Sequence, residues 1–119
     1  MRLPTCVFCQ IINDQLPATD LRLHMIADAV SFIPLNPVTP GHRLFVPRDH
    51  VAQASDDPAA TGLIFDQAAS WGNMQPDHDF NLIVNNGVHA TQTVFHLHIH
   101  YVPRRANDGL TLPWTGQKH

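Results

Sequence analysis

No glutamate occurs among the 119 residues; all ten acidic side chains are aspartates. Mechanisms that need a catalytic glutamate, the HExxH metalloprotease and the zinc nucleobase deaminase among them, are excluded at once. Charge is scarce in general. Asp, Lys and Arg together make up 14% of the chain, and the six arginines and one lysine are scattered, leaving no patch that suits nucleic acid or a membrane surface. No apolar run approaches the length of a membrane span. Cysteine is limited to Cys6 and Cys9. The opening stretch "MRLPTCVFCQIIN" reaches both before any hydrophobic run develops, unlike a signal peptide, so the expected compartment is the cytoplasm and the expected state of the pair is reduced.

Apolar residues, by contrast, make up 44% of the chain, enough for a real core. The length is that of one unit, and residues 1–119 read as a single domain. No repeat or low-complexity segment is visible. Val7 to Asn13 reads as a short helix ending in the loop "DQLPATD". Leu21–Ile26 and Val30–Leu35 read as a hairpin turning at "ADA", and "HRLFVP" as a third strand after the breaker "NPVTPGH". Asp56, Asp57 and Pro58 signal a helix start, and Leu63, Ile64, Ala68 and Trp71 fall at helical spacing over Ala59 to about Met74. "FNLIVN" and "TVFHLHIHYV" read as the last two strands. The expected fold class is α+β: a mostly antiparallel five-stranded sheet with one long helix and a short N-terminal helix.

Three of the nine histidines fall in "VFHLHIHYVPR". On a strand, His96, His98 and His100 would form a row on one face, spaced about 6.5 Å apart, with Leu97, Ile99 and Tyr101 facing the core. Three readings compete: a polar sheet face on which histidine recurs; a metal site, which three collinear residues cannot complete without another segment; and a division of labour. In the last, one neutral imidazole acts as nucleophile on phosphorus while a neighbour contacts the phosphate or leaving group. Cys6-x-x-Cys9 also has competing readings: a redox pair, for which no preceding strand is visible, a zinc half-site short of two ligands, or plain buried cysteines.

"FHLHIHYVPR" resembles the His-x-His-x-His signature, with hydrophobic x, of the histidine-triad (HIT) family of nucleotide-binding proteins and hydrolases. The segments "CVFCQIINDQLPAT", "FIPLNPVTPGHRLFVPRDH" and "NNGVHATQTVFHLHIH" resemble that family's other segments, in order, over nearly the whole chain. The resemblance implies a hydrolase of nucleotide phosphoramidates or dinucleotides, with a purine nucleotide or nucleotide conjugate as substrate. His98 would be the nucleophile, forming a covalent nucleotidyl-histidine. His100 and His42 would lie against phosphate or leaving group, and Asn85, Gln92 and Thr93 would line the phosphate site. It further implies structural zinc on Cys6, Cys9, His50 and His96, no organic cofactor, and a homodimer in which the tail bearing Trp114 reaches towards the partner. The alternatives are a nucleotide-binding or protein-interaction module with little turnover, and a hydrolase whose triad holds catalytic zinc. Two departures stand out: Pro34 replaces the acid that holds the ribose hydroxyls, and Thr91 replaces a glycine before the glutamine of the phosphate loop. His24, His78, His89 and His119 have no partner that the sequence names, and Trp71 reads as helix-face core.

Overall fold

The computed structural model describes residues 3–112. Trp114 and His119 lie outside the described residues. Helix α1 spans Val7–Ile12, followed by strands β1 (Thr19–His24), β2 (Ala29–Ile33) and β3 (Arg43–Pro47), helix α2 (Pro58–Asn73), and strands β4 (Phe80–Val84) and β5 (Ile99–Pro103). Single turns of 3₁₀ helix occur at Ala54–Asp56 and Val88–Ala90. The five strands form one antiparallel sheet in the order β1-β2-β3-β5-β4, the α+β architecture expected from the sequence. None of the described helices is long and apolar enough to cross a membrane.

Alternation along the strands divides the apolar residues between two clusters, because successive strand side chains point to opposite faces. On one face α2 lays Ile64 and Ala68 against Ala29, Phe45, Ile99 and Tyr101. On the other, α1 lays Phe8 and Ile11 against Val30, Phe32, Leu44 and Val46. The start of α2 follows local chemistry: the Asp57 side chain accepts a hydrogen bond from the Ala60 N–H at 3.0 Å, and Pro58 fills the first turn, where its missing N–H costs nothing. Its seat on the sheet depends on Gly72. A Cβ there would lie 2.6 Å from the Phe80 ring and 2.9 Å from that of Tyr101.

Three expectations need correction. The hairpin turns at Met25–Asp28, leaving Ala29 already in β2. Leu63, placed on the buried stripe of α2 by spacing, is exposed, and Gly72 completes the buried set with Ile64 and Ala68. The last strand does not run from Thr93 to Val102: it begins at Ile99, so of the three histidines only His100 is in the sheet. The backbone before it is satisfied elsewhere. Leu97 N–H donates to the Val51 carbonyl at 2.6 Å, the Val94 carbonyl accepts from the Gln92 side chain, and the His96 carbonyl accepts from the His98 ring. These three groups are taken by a loop and by side chains rather than by a ladder.

Candidate active site

His98, His100 and His42 converge on the α1 side of the sheet. The His98 and His100 rings lie 5.2 Å apart, those of His100 and His42 5.3 Å apart, and Phe8 of α1 packs edge-on to His98 at 5.2 Å. His42 and His98 are buried and His100 half-buried. Burial pushes all three below the ordinary histidine range, His100 to about 4 with the neighbouring His98 and His42 adding to the effect. At neutral pH all three rings are uncharged.

Their hydrogen bonds fix which nitrogen carries each proton. A carbonyl can only accept, so the 2.8 Å contact of His98 Nδ1 with the His96 carbonyl is an Nδ1–H donation. His98 Nε2 therefore carries the lone pair. It has no hydrogen bond among the described residues, and no sealed, unpartnered side-chain polar atom occurs there, so Nε2 reaches open space. At His42 the logic runs the other way: Val38 N–H donates to Nδ1 at 3.1 Å, which leaves the proton on Nε2. That proton is donated to His100 Nδ1 at 3.0 Å, so His100 presents an Nε2–H. The site thus offers one nucleophilic nitrogen on His98 and one donor on His100, each held in its tautomer by a chain that ends in backbone.

The remaining predicted residues divide. Gln92 is 4% exposed, and its amide is fully engaged: Oε1 accepts from Gly87 N–H at 2.9 Å, and Nε2 donates to the carbonyls of Ala52 at 2.8 Å and Val94 at 3.0 Å. Its side chain braces two loops. The side chains of Asn85 and Thr93 make no hydrogen bond among the described residues; Asn85 directly follows β4, whose last residue, Val84, pairs with Ile99 next to His98 in the chain. Thr91 adopts φ +67°, a left-handed conformation that is costly for a β-branched residue and free for glycine. Pro34 directly follows β2, half-buried, with neither a donor nor a side-chain acceptor to offer a ribose. His24, unassigned from sequence, bonds Ser31 Oγ through Nε2 at 2.6 Å on the opposite face of the sheet. His78 and His89 are exposed.

Beside the histidines, Cys6, Cys9, His50 and His96 bring their four ligand atoms within 4.8 Å of one another. Cys6 Sγ lies 3.4 Å from His96 Nδ1, and Cys9 Sγ lies 3.5 Å from His50 Nδ1 and 3.6 Å from His96 Nδ1. Tetrahedral zinc, with Zn–S of roughly 2.3 Å and Zn–N of roughly 2.05 Å, requires S···N edges of about 3.6 Å. The donor set fits the ion. His96 Nε2–H donates to the Pro47 carbonyl at 2.8 Å, which leaves the Nδ1 lone pair facing the two sulfurs, and Cys6 Sγ accepts from Cys9 N–H and Cys9 Sγ from Leu3 N–H. Two residues that spacing does not flag also serve the site. Val38 acts through its backbone N–H, for which a side-chain pattern carries no signal, and Phe8 packs edge-on to both His96 and His98.

The sequence pattern of the HIT domain matches residues 23–107, the stretch that carries all three site histidines and two of the four cluster residues. The chain belongs to the HIT family. Among HIT relatives, adenylylsulfatase HINT3 of Arabidopsis thaliana is 32% identical over 126 residues, covering 96% of this chain and 59% of that protein. The chain therefore spans rather more than half of that relative's length. Adenosine 5'-monophosphoramidase HNT1 of Saccharomyces cerevisiae is 30% identical over 117 residues, covering 95% of this chain and 72% of that protein. A zinc-bound histidine triad family protein from Mycobacterium smegmatis superposes with a TM-score of 0.74 at 31% identity, over 91% of this chain and 81% of that one.

Proposed function

We propose that this HIT protein hydrolyses nucleoside monophosphate conjugates, amine or acyl phosphate derivatives among them, at the α-phosphorus. The observation that carries the reading is the His98 tautomer: Nδ1–H is tied to the His96 carbonyl, and the Nε2 lone pair is free and uncharged. In the first step Nε2 bonds to phosphorus as the bond to the leaving group breaks. The developing positive ring keeps its Nδ1 proton on the carbonyl, and His100 Nε2–H, oriented by His42, donates to a phosphoryl or leaving-group oxygen or nitrogen. Water then opens the phosphorus–nitrogen bond, releasing the nucleoside monophosphate and restoring His98. Asn85 and the backbone around Thr93 are the proposed phosphate contacts, and Gln92 acts by holding that loop in place. The activities in the names of the Arabidopsis and yeast relatives, on an adenylyl sulfate and an adenosine phosphoramidate, support this substrate class.

Zinc on Cys6, Cys9, His50 and His96 completes the proposal as a structural ion. Four protein ligands form a closed set with no open position, and His98 and His100 are not among them, which counts against a catalytic zinc held by the triad. When bound, the ion supplies a fixed point for α1 and for the segment leading into His98. A homodimer is part of the same reading and is tested by sedimentation of the intact chain.

Intact-protein mass spectrometry after brief mixing with an adenosine phosphoramidate tests the chemistry. The wild type should gain a transient adduct of AMP mass and then accumulate AMP, whereas His98→Gly and His98→Ala should do neither. Turnover by a folded His98→Ala protein would overturn the assignment. Saturable AMP binding with no adduct and no AMP release would favour a binding module instead, and Pro34→Asp would then test whether the lost ribose contact is the cause.

A further inference from the structure

On the side of the sheet away from the histidines, a cavity of about 600 Å³ opens between the C-terminal end of α2 and strands β1, β3 and β5. The volume is that of a small-molecule site. Its floor is a cross-strand pair: Arg43 on β3 stands directly opposite Tyr101 on β5. Each directly adjoins a site histidine in the chain, His42 and His100, and alternation sends them to the other face.

Both floor residues are buried and retain unspent donors. Arg43 is 3% exposed and uses three of its five N–H groups: Nη1 on the Asp20 carbonyl at 3.0 Å and on Ser31 Oγ at 2.9 Å, and Nη2 on the Asp20 carboxylate. Tyr101 is 1% exposed, and its hydroxyl makes no hydrogen bond among the described residues. Since no sealed, unpartnered side-chain atom occurs there, that hydroxyl opens onto the cavity it lines. The hydroxyl and the spare guanidinium N–H groups therefore stand side by side as donors that only water or a ligand can engage.

The charge balance indicates what accepts. Three arginines line the cavity, Arg22, Arg43 and Arg105, against two carboxylates, Asp20 and Asp77, an excess of one positive charge. Asp20 is shared between Arg22 and Arg43, and Asp77 is taken by Arg105 at 3.2 Å. Apolar side chains line the cavity as well. The Arg43 and Arg22 guanidinium groups lie over the Trp71 ring at 4.5 and 5.3 Å, and Pro40 and Pro103 also line the cavity.

We propose that this cavity is a second binding site, for a small organic oxyanion. Its acid group sits on Arg43 and Tyr101, and its apolar body rests on Pro40 and Pro103, beside Trp71. The site is separated from the histidines by the thickness of the sheet, and its existence does not depend on the proposed hydrolysis.

The test is a titration of the isotope-labelled full chain with benzoate and, separately, inorganic phosphate at constant ionic strength, read at the Trp71 indole N–H resonance. Comparison with Trp114→Phe distinguishes the two indoles. Benzoate should shift the Trp71 signal saturably, and phosphate, which lacks the apolar body, should do so more weakly. Tyr101→Phe keeps the ring packing and should weaken benzoate about tenfold, the loss expected for one hydrogen bond to a charged acceptor. Arg105→Gln, at the exposed rim, should weaken it severalfold and guards against a folding defect in the first variant. A linear or absent shift with both anions, or equal affinity in wild type and both variants, would overturn the proposal and leave a water-filled cleft.

Discussion

Replacing Gln92 with leucine separates two roles that the sequence alone cannot distinguish. As a direct phosphate ligand, Gln92 would matter for turnover and hardly at all for stability. Its amide instead spans three backbone groups, Gly87 N–H and the carbonyls of Ala52 and Val94, and the residue is 4% exposed. A net hydrogen bond is worth about 1 kcal/mol, and stranding a buried partner costs about 1–3 kcal/mol. Ala52, Gly87 and Val94 are only half-buried, so water recovers part of each loss. Gln92→Leu should therefore cost about 2–3 kcal/mol, seen as a lower urea midpoint at unchanged slope and a Tm lower by roughly 10 °C. Gln92→Glu should be as severe, because a carboxylate cannot donate to the two carbonyls. Loss of activity with an unchanged midpoint in both variants would refute the bracing role.

Thr91→Gly relieves a β-branched residue at φ +67°, a conformation costing about 1–2 kcal/mol, against about 0.5–1 kcal/mol of added backbone entropy in the unfolded chain. A Tm raised by a few degrees is expected, and a lowered one would show that the threonine side chain contributes something the strain argument omits. His100 has a folded-state pKa of about 4 against an ordinary 6.5, so its contribution is complete above pH 6.5 and is lost as pH falls through the window from 6.5 to 4. That loss amounts to roughly 3 kcal/mol, and chemical unfolding across the window should be markedly flatter for His100→Gln than for wild type. Zinc should be present at one ion per chain by elemental analysis, and its removal by a chelator should lower Tm because the cluster ties α1 to the segments carrying His50 and His96. A metal-free wild type as stable as the metal-treated one would dispose of the structural-ion reading.

Much of the site was legible from spacing and family resemblance. His98, His100 and His42 are brought together, as are the two cysteines with His50 and His96. The strand carrying the histidines is shorter than its alternation suggests, because alternation of apolar and polar residues also describes an extended segment in which loops and side chains, not a neighbouring strand, engage Leu97 N–H and the Val94 and His96 carbonyls. On α2 Leu63 is exposed and Gly72 is buried because periodicity sets the angle of a face but not its width, and close approach to Phe80 and Tyr101 selects a residue without a Cβ. The family resemblance points to Gln92 as a phosphate-loop residue, but its bracing partners, separated from it by up to 40 residues, leave no trace in local sequence.

The class of fold, the order of its elements, the histidine-rich segment and the residues able to hold a metal are all readable from the chain alone. These depend on periodicity, turn chemistry and side-chain type, all of which are local. Which nitrogen of each site histidine carries a proton is a property of the packed fold, since it follows from backbone groups of Val38 and His96 in the segments outside the strands. The tertiary structure alone set Arg43 beside Tyr101 with hydrogen-bonding capacity to spare, because pairing between β3 and β5 joins segments far apart in the chain, and register between distant strands is a property of the packed sheet.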